Sequence, residues 1–116
     1  MTRARVNAFA ATLPGAGVSD PWGGGHDAWK VGGRMFACVG ALREGVNVKT
    51  DSIETAEMLI DAGIAERAAY FHRSWVYLPE GAEDAELRHR ILTSYRLVRE
   101  GLPGKLREAL APVPQA

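Results

Sequence analysis

Between Met35 and Ile60 the spacing of apolar residues switches from every second position to every third or fourth, which constrains the fold more than any other feature of the chain. Met35, Ala37 and Val39 alternate with Phe36 and Cys38. After the turn residues Arg43-Glu44-Gly45, Val46 and Val48 alternate with Asn47 and Lys49, which is the signature of a β-hairpin. Side chains on a strand point to opposite faces in turn, so with Val46 and Val48 on a core, Lys49 is presented outward. Asp51 to Glu54 then reads as a D-x-x-E helix cap. The helix it opens has Ile53, Ala56 and Ile60 as its buried stripe, Leu59 on the flank and Gly63 as a left-handed stop. A hairpin running into a capped helix must fold with that helix, and 116 residues give room for a single hydrophobic core.

The remaining elements fit the same plan. Val6, Phe9, Ala10 and Leu13 follow helical spacing from Thr2 to Leu13, and Pro14-Gly15 stops the run. The Gly-rich stretch from Gly15 to Gly33 reads as a loop entering a short strand near Ala28 to Val31. Aromatic and β-branched residues from Ala69 to Leu78 predict two short strands or one bent strand, interrupted near His72-Arg73-Ser74. Leu87, Ile91, Tyr95 and Val98 share one face of a helix from Asp84 to Arg99, followed by a short helix from Lys105 to Leu110. The expected fold class is α+β, a mostly antiparallel sheet with flanking N-terminal and C-terminal helices. One domain is expected over residues 1–111, with residues 112–116 as a frayed tail.

Function classes fall away on composition. With 14 basic residues against 14 acidic ones, the chain is not a protein that coats nucleic acid by bulk charge. Its one cysteine, Cys38, forms no internal disulfide and no thiolate metal site, so a reducing cytoplasm is the expected compartment. No apolar run approaches membrane-spanning length, so no membrane partner is expected. The charge is nevertheless segregated: residues 1–50 hold six basic and three acidic residues, residues 51–116 eight and eleven. A local anion site is therefore compatible with overall neutrality.

No catalytic constellation emerges. Gly23-Gly24-Gly25-His26-Asp27-Ala28 matches G-x-G-x-x-A, but lacks the preceding strand and following helix that a dinucleotide cradle needs. His26, His72 and His89 are too far apart for a zinc spacing. Cys38 reads as a buried structural thiol. Ser94 and Tyr95 read as a polar contact between helix and sheet whose hydroxyls bond backbone groups. An enzyme, a cofactor and a metal are thus not expected.

Basic residues interleaved with aromatics are the remaining signal. Lys30, Arg34 and Lys49 lie on neighbouring predicted strands or their turns, among Trp29 and Phe36, a pattern that pairs phosphates while rings meet bases. Arg88, Arg96 and Arg99 fall in one arc of the long helix. The bland alternative is a solvated basic edge whose arginine stems cover the core.

Several segments, in order and spacing, resemble the MmcQ/YjbR family. They are Leu13-Pro14-Gly15-Ala16, Trp22-Gly23, Trp29 to Ala37, Val48-Lys49-Thr50-Asp51, Trp75-Val76-Tyr77-Leu78, Ser94 to Val98 and Leu102-Pro103. The resemblance implies a CyaY-like fold and a small bacterial DNA-binding protein. Lys30, Arg34, Lys49, Trp75 and Ser94-Tyr95 sit on the family's pattern. Arg34 stands where lysine is common, and Ser74 where histidine is frequent. The CyaY likeness also points to frataxin, but the first helix carries Arg3 and Arg5 and no acid, which disfavours iron delivery and leaves the acidic second helix as a minor alternative.

The leading expectation is a non-enzymatic DNA-binding domain making weak phosphate contacts through Lys30, Arg34, Lys49 and Arg73, helped by Arg88, Arg96 and Arg99. The alternative is a protein-interaction or small-ligand module using exposed Trp22, Trp29 or Trp75, without nucleic acid.

Overall fold

The computed structural model describes residues 2–114, in the order α1 (Thr2–Ala10), β1 (Gly17–Ser19), β2 (Asp27–Val31), β3 (Arg34–Val39), β4 (Val46–Lys49), α2 (Ile53–Asp61), β5 (Glu66–Arg67), β6 (Trp75–Leu78), α3 (Asp84–Glu100) and α4 (Gly104–Glu108). Six strands form one sheet ordered β1-β2-β3-β4-β6-β5, antiparallel throughout. The α+β fold with an antiparallel sheet is as expected.

Backbone geometry shapes the middle of the sheet. β2 and β3 are joined by Gly32-Gly33 alone, with Val31 opposite Arg34. Both glycines have positive φ, +57° and +79°, which a two-residue hairpin turn with the right-handed strand twist requires. Further along, Trp29 pairs with Ala37 but Lys30 with Met35, so Phe36 is the extra residue of a β-bulge. The bulge lets both Phe36 and Ala37 join the core, while Met35 belongs to a smaller cluster with Trp75 and Tyr77.

One face of the sheet carries the helices. Val46, Val48, Val76 and Leu78 pack with Leu87, Ile91 and Tyr95 of α3 and with Val6 of α1. At the bulge the fully buried Ser94 bridges two strands: its Oγ donates to the Phe36 carbonyl at 2.6 Å and accepts the Lys49 N–H at 2.9 Å. The Tyr95 hydroxyl donates to the Pro14 carbonyl at 2.6 Å, and its ring meets Phe36 edge-on. Both hydroxyls thus bond backbone groups, the role expected from the sequence.

Several expectations need correction. α1 ends at Ala10 rather than Leu13, although Leu13 is still buried. The supposed loop after Gly15 contains β1, whose three residues are all exposed and so carry no alternation to read. The cap of α2 is Ser52, not Asp51: the Ser52 side chain accepts from the Thr55 N–H, and Asp51 lies exposed outside the helix. Ala56 and Leu59, rather than Ile53 and Ile60, are the buried residues of α2. Tyr70 and Phe71 are not in a strand; β5 lies earlier and a turn occupies the intervening segment. In the expected tail Val113 packs partly buried against the core, and residues 115–116 lie outside the described residues.

Candidate nucleic-acid interface and adjoining groove

The second face of the sheet bears no helix. Alternation places Lys30, Met35 and Cys38 there, with Asn47 and Lys49 of β4 and Trp75 and Tyr77 of β6. Lys30 lies opposite Met35 and Lys49 opposite Trp75, so the two lysines stand about two strand spacings apart, ~10 Å. Among the described residues neither lysine takes part in an ion pair.

The arginines expected to join them do not converge. Arg34, at the hairpin tip, donates to the Gly101 carbonyl at 2.8 Å, towards the end of α3. Arg73 faces Glu57 of α2 at 4.0 Å. Arg88 pairs with Asp84 at 3.1 Å and lies over the Phe9 ring, while Arg99 donates to the Tyr95 hydroxyl. Arg96 is exposed, but like Arg88 and Arg99 it belongs to the helical layer on the far side of the sheet. The arc on α3 is real; the strand order puts the sheet between it and the lysines.

The tryptophans separate in the same way. Trp29 is 5% exposed and faces the helices, where its indole N–H donates to Asn7 Oδ1 at 2.9 Å. Trp75 is 8% exposed and stacked against Phe71, with ring centroids 4.7 Å apart. Exposed contacts at these two positions are therefore ruled out, because each indole has a covering partner within the fold. Trp22 is 59% exposed, edge-on to His26.

Trp22 lines a groove of about 600 Å³ on the helix-free face. Asn47 and Tyr77 belong to its floor, with residues 40–43 and 69–71 on its flanks. Arg43 lies over the Tyr77 ring at 4.1 Å and meets Glu66 at 3.3 Å; Arg67 donates to the Ala68 carbonyl at 2.8 Å. Tyr70 is fully exposed and has a φ of +71°, a conformation costing an L-residue roughly 1–2 kcal/mol. Sequence reasoning missed Arg43, Arg67 and Tyr70. The aromatic run was visible, but nothing in it marks a left-handed turn.

Behind the sheet, Asn7 Nδ2 donates to Asp27 Oδ2 at 3.1 Å and Arg3 Nη1 to the same oxygen at 2.7 Å. Burial pushes the Asp27 carboxyl up, but the hydrogen bonds from Arg3 and Asn7, with the Arg3 charge, outweigh it and hold the group below its ordinary 3.8. A lowered carboxylate stabilises the fold at pH values above its ordinary one, and that contribution is lost as pH falls through the folded-state value. Asp27→Asn is thus expected to be less stable than the parent at neutral pH. In urea unfolding the two should converge below about pH 3.8, and a gap that persisted undiminished into stronger acid would show that Asp27 does not act through its charge. Cys38 is buried and its thiol pushed up to about 11, by desolvation first and then by the Asp27 charge, as befits an inert structural thiol.

Among the described residues no cluster of three or more His, Cys, Asp or Glu is placed to hold a metal, and no helix is long and apolar enough to cross a membrane. A search of the curated proteins finds no match. Among solved structures, Deinococcus radiodurans protein DR2400, described as a DUF419 domain, is similar at 22% identity and a TM-score of 0.78, over 89% of this chain and 83% of that one. That likeness shows the fold. A family model described as YjbR matches residues 11–97, a span that holds the motifs from Leu13-Pro14 to Trp75–Leu78 and all but Val98 of the Ser94 to Val98 segment, with Leu102-Pro103 beyond it; the chain belongs to the YjbR family.

Proposed function

We propose that this is a non-enzymatic, cytoplasmic DNA-binding domain whose contact surface is the helix-free face of the sheet. The observation carrying this reading is the contrast between Lys30 and Lys49 and the other expected contacts. Arg34, Arg73, Arg88 and Arg99 are engaged with carboxylates, a hydroxyl or a carbonyl, and Arg96 is exposed in the helical layer, whereas the two lysines, each half-buried, stand on the helix-free face without an ionic partner among the described residues. A small number of ammonium groups gives weak, salt-sensitive phosphate binding, in keeping with the chain's neutrality.

Fluorescence anisotropy with labelled oligonucleotides over a salt series tests it. The double variant Lys30→Glu/Lys49→Glu is expected to weaken binding at low salt at least tenfold. It should also flatten the log–log salt dependence by roughly 1.4–1.8, the counterions of two phosphates. Arg96→Glu, on the other layer, should stay within about twofold of the parent. Parent affinity no better than that of an acidic control protein would overturn the reading. The alternative, a protein-interaction or small-ligand module, draws support from the groove and exposed Trp22 alone, and predicts binding that salt hardly changes.

A further inference from the structure

We infer that the groove receives an unpaired nucleobase, stacked on Tyr70 and Trp22, so that the domain prefers single-stranded DNA to duplex. This deepens the DNA reading and rests on it. Three observations carry the inference. The first is Tyr70 itself: its backbone is held left-handed while its ring, fully exposed, gains no burial within the fold. Its neighbour Phe71 is fixed by stacking on Trp75, and the Phe71 N–H is bonded to the Ala68 carbonyl, so the turn that strains Tyr70 is anchored on both sides. An exposed aromatic in a rigid, strained turn at the mouth of a groove is preorganised for an external ring.

The second observation is charge. The groove lining contains the guanidinium groups of Arg43 and Arg67 and no carboxylate; Glu66 meets Arg43 and Asp20 meets His26 from outside it, and Arg67 bonds the Ala68 carbonyl, so among the described residues the unpaired cation beside the groove is Lys49. On β4, Lys49 is only two residues from Asn47 on the groove floor and points to the same face, about 7 Å along the strand. A strand of nucleic acid with one base in the groove therefore has its phosphates beside Lys49, and Lys30 lies further across the same face. The third is access. A base in a duplex shows only its edges, whereas stacking on Tyr70 or Trp22 needs its flat face, which a single strand offers freely.

The full chain is titrated with a labelled oligo-dT 12-mer and with a duplex of equal length, reading anisotropy and tryptophan emission. With Trp29 and Trp75 buried, quenching by ligand reports on Trp22. The single strand should bind about tenfold tighter than the duplex and quench emission, and Trp22→Phe should abolish that quenching. Tyr70→Gly relieves the backbone strain, so it should unfold no more readily than the parent yet lose about tenfold in affinity for the single strand. Duplex binding equal to single-strand binding, or a folded Tyr70→Gly with parental affinity, overturns this inference and leaves the lysine reading standing. Binding to neither oligonucleotide overturns both. A hydrophobic dye held in the groove and not displaced by oligo-dT would assign the groove to an apolar ligand and also overturn the inference.

Discussion

Gly45→Ala is expected to lower folding stability by at least about 3 kcal/mol, read as a fall in the urea midpoint. The reason is space, since Gly45 is not among the residues with positive φ. Gly45 is buried where the loop from β3 enters β4, and its N–H donates to the Tyr77 hydroxyl at 2.9 Å. A β-carbon there would collide with the Leu78 carbonyl oxygen and the Tyr77 hydroxyl. Neither obstacle can yield easily: Leu78 is paired with Val46 in the β4–β6 ladder, and Tyr77 is held between Gly45 and Arg43. The entropy gained by restricting the unfolded chain, at most about 1 kcal/mol, is too small to compensate. Gly40→Ala is the matched control, because no atom lies near a β-carbon there, and it should stay within about 0.5 kcal/mol of the parent. A parental midpoint for Gly45→Ala would mean that the β4–β6 pairing is softer than its register implies. Because Tyr77 is part of the groove floor, the variant should also bind single strands less well where it remains folded.

Ser94→Ala should cost about 2–4 kcal/mol. At the bulge, β3 and β4 part company beyond the Ala37–Val48 pair, and the freed Phe36 carbonyl and Lys49 N–H are both taken up by one hydroxyl. Removing it leaves two inward-facing backbone groups without partners, each costing roughly 1–3 kcal/mol. Native-state hydrogen exchange distinguishes this from general loosening: the Lys49 amide should lose protection well beyond its neighbours in β4. A loss below about 0.5 kcal/mol, or uniform loss of protection, would exclude the bridging role. Ser94→Thr keeps the hydroxyl but forces a methyl group into a fully buried site, and should fall between parent and alanine variant.

The parts of this fold that show in the sequence are those governed by local periodicity. α3 runs within one residue of its expected end, with Leu87, Ile91, Tyr95 and Val98 all buried, because a stripe facing a core repeats regardless of what the core is made of. The β3–β4 pairing and the inward Val46 and Val48 follow from alternation alone. What stays hidden depends on distant partners. Ser52 and Asp51 are adjacent and equally suited to cap a helix, so only the backbone decides between them. Tyr70 and Phe71 have strand-forming side chains, yet packing of Phe71 on Trp75 draws them into a turn. The candidate site was legible by half for the same reason. Strand alternation identifies the outward Lys49, but Arg34 is engaged by Gly101, 67 positions away, and Trp29 by Asn7, 22 positions away. An indole with a satisfied N–H in a core and one open to solvent look alike in a one-dimensional string.

The bond from the Tyr95 hydroxyl to the Pro14 carbonyl spans 81 positions, and α3 is the element that closes the helical face over β3 and β4. On a ribosome that means the hairpin strands are made long before their cover. Until α3 emerges, Phe36, Val46 and Val48 have only α1 and α2 to cover them. Folding of this domain is therefore set by a late, non-local closure rather than by its early hairpins, and slow relative to a helical bundle of the same size. The nascent chain is most exposed to aggregation in the interval between β6 and α3.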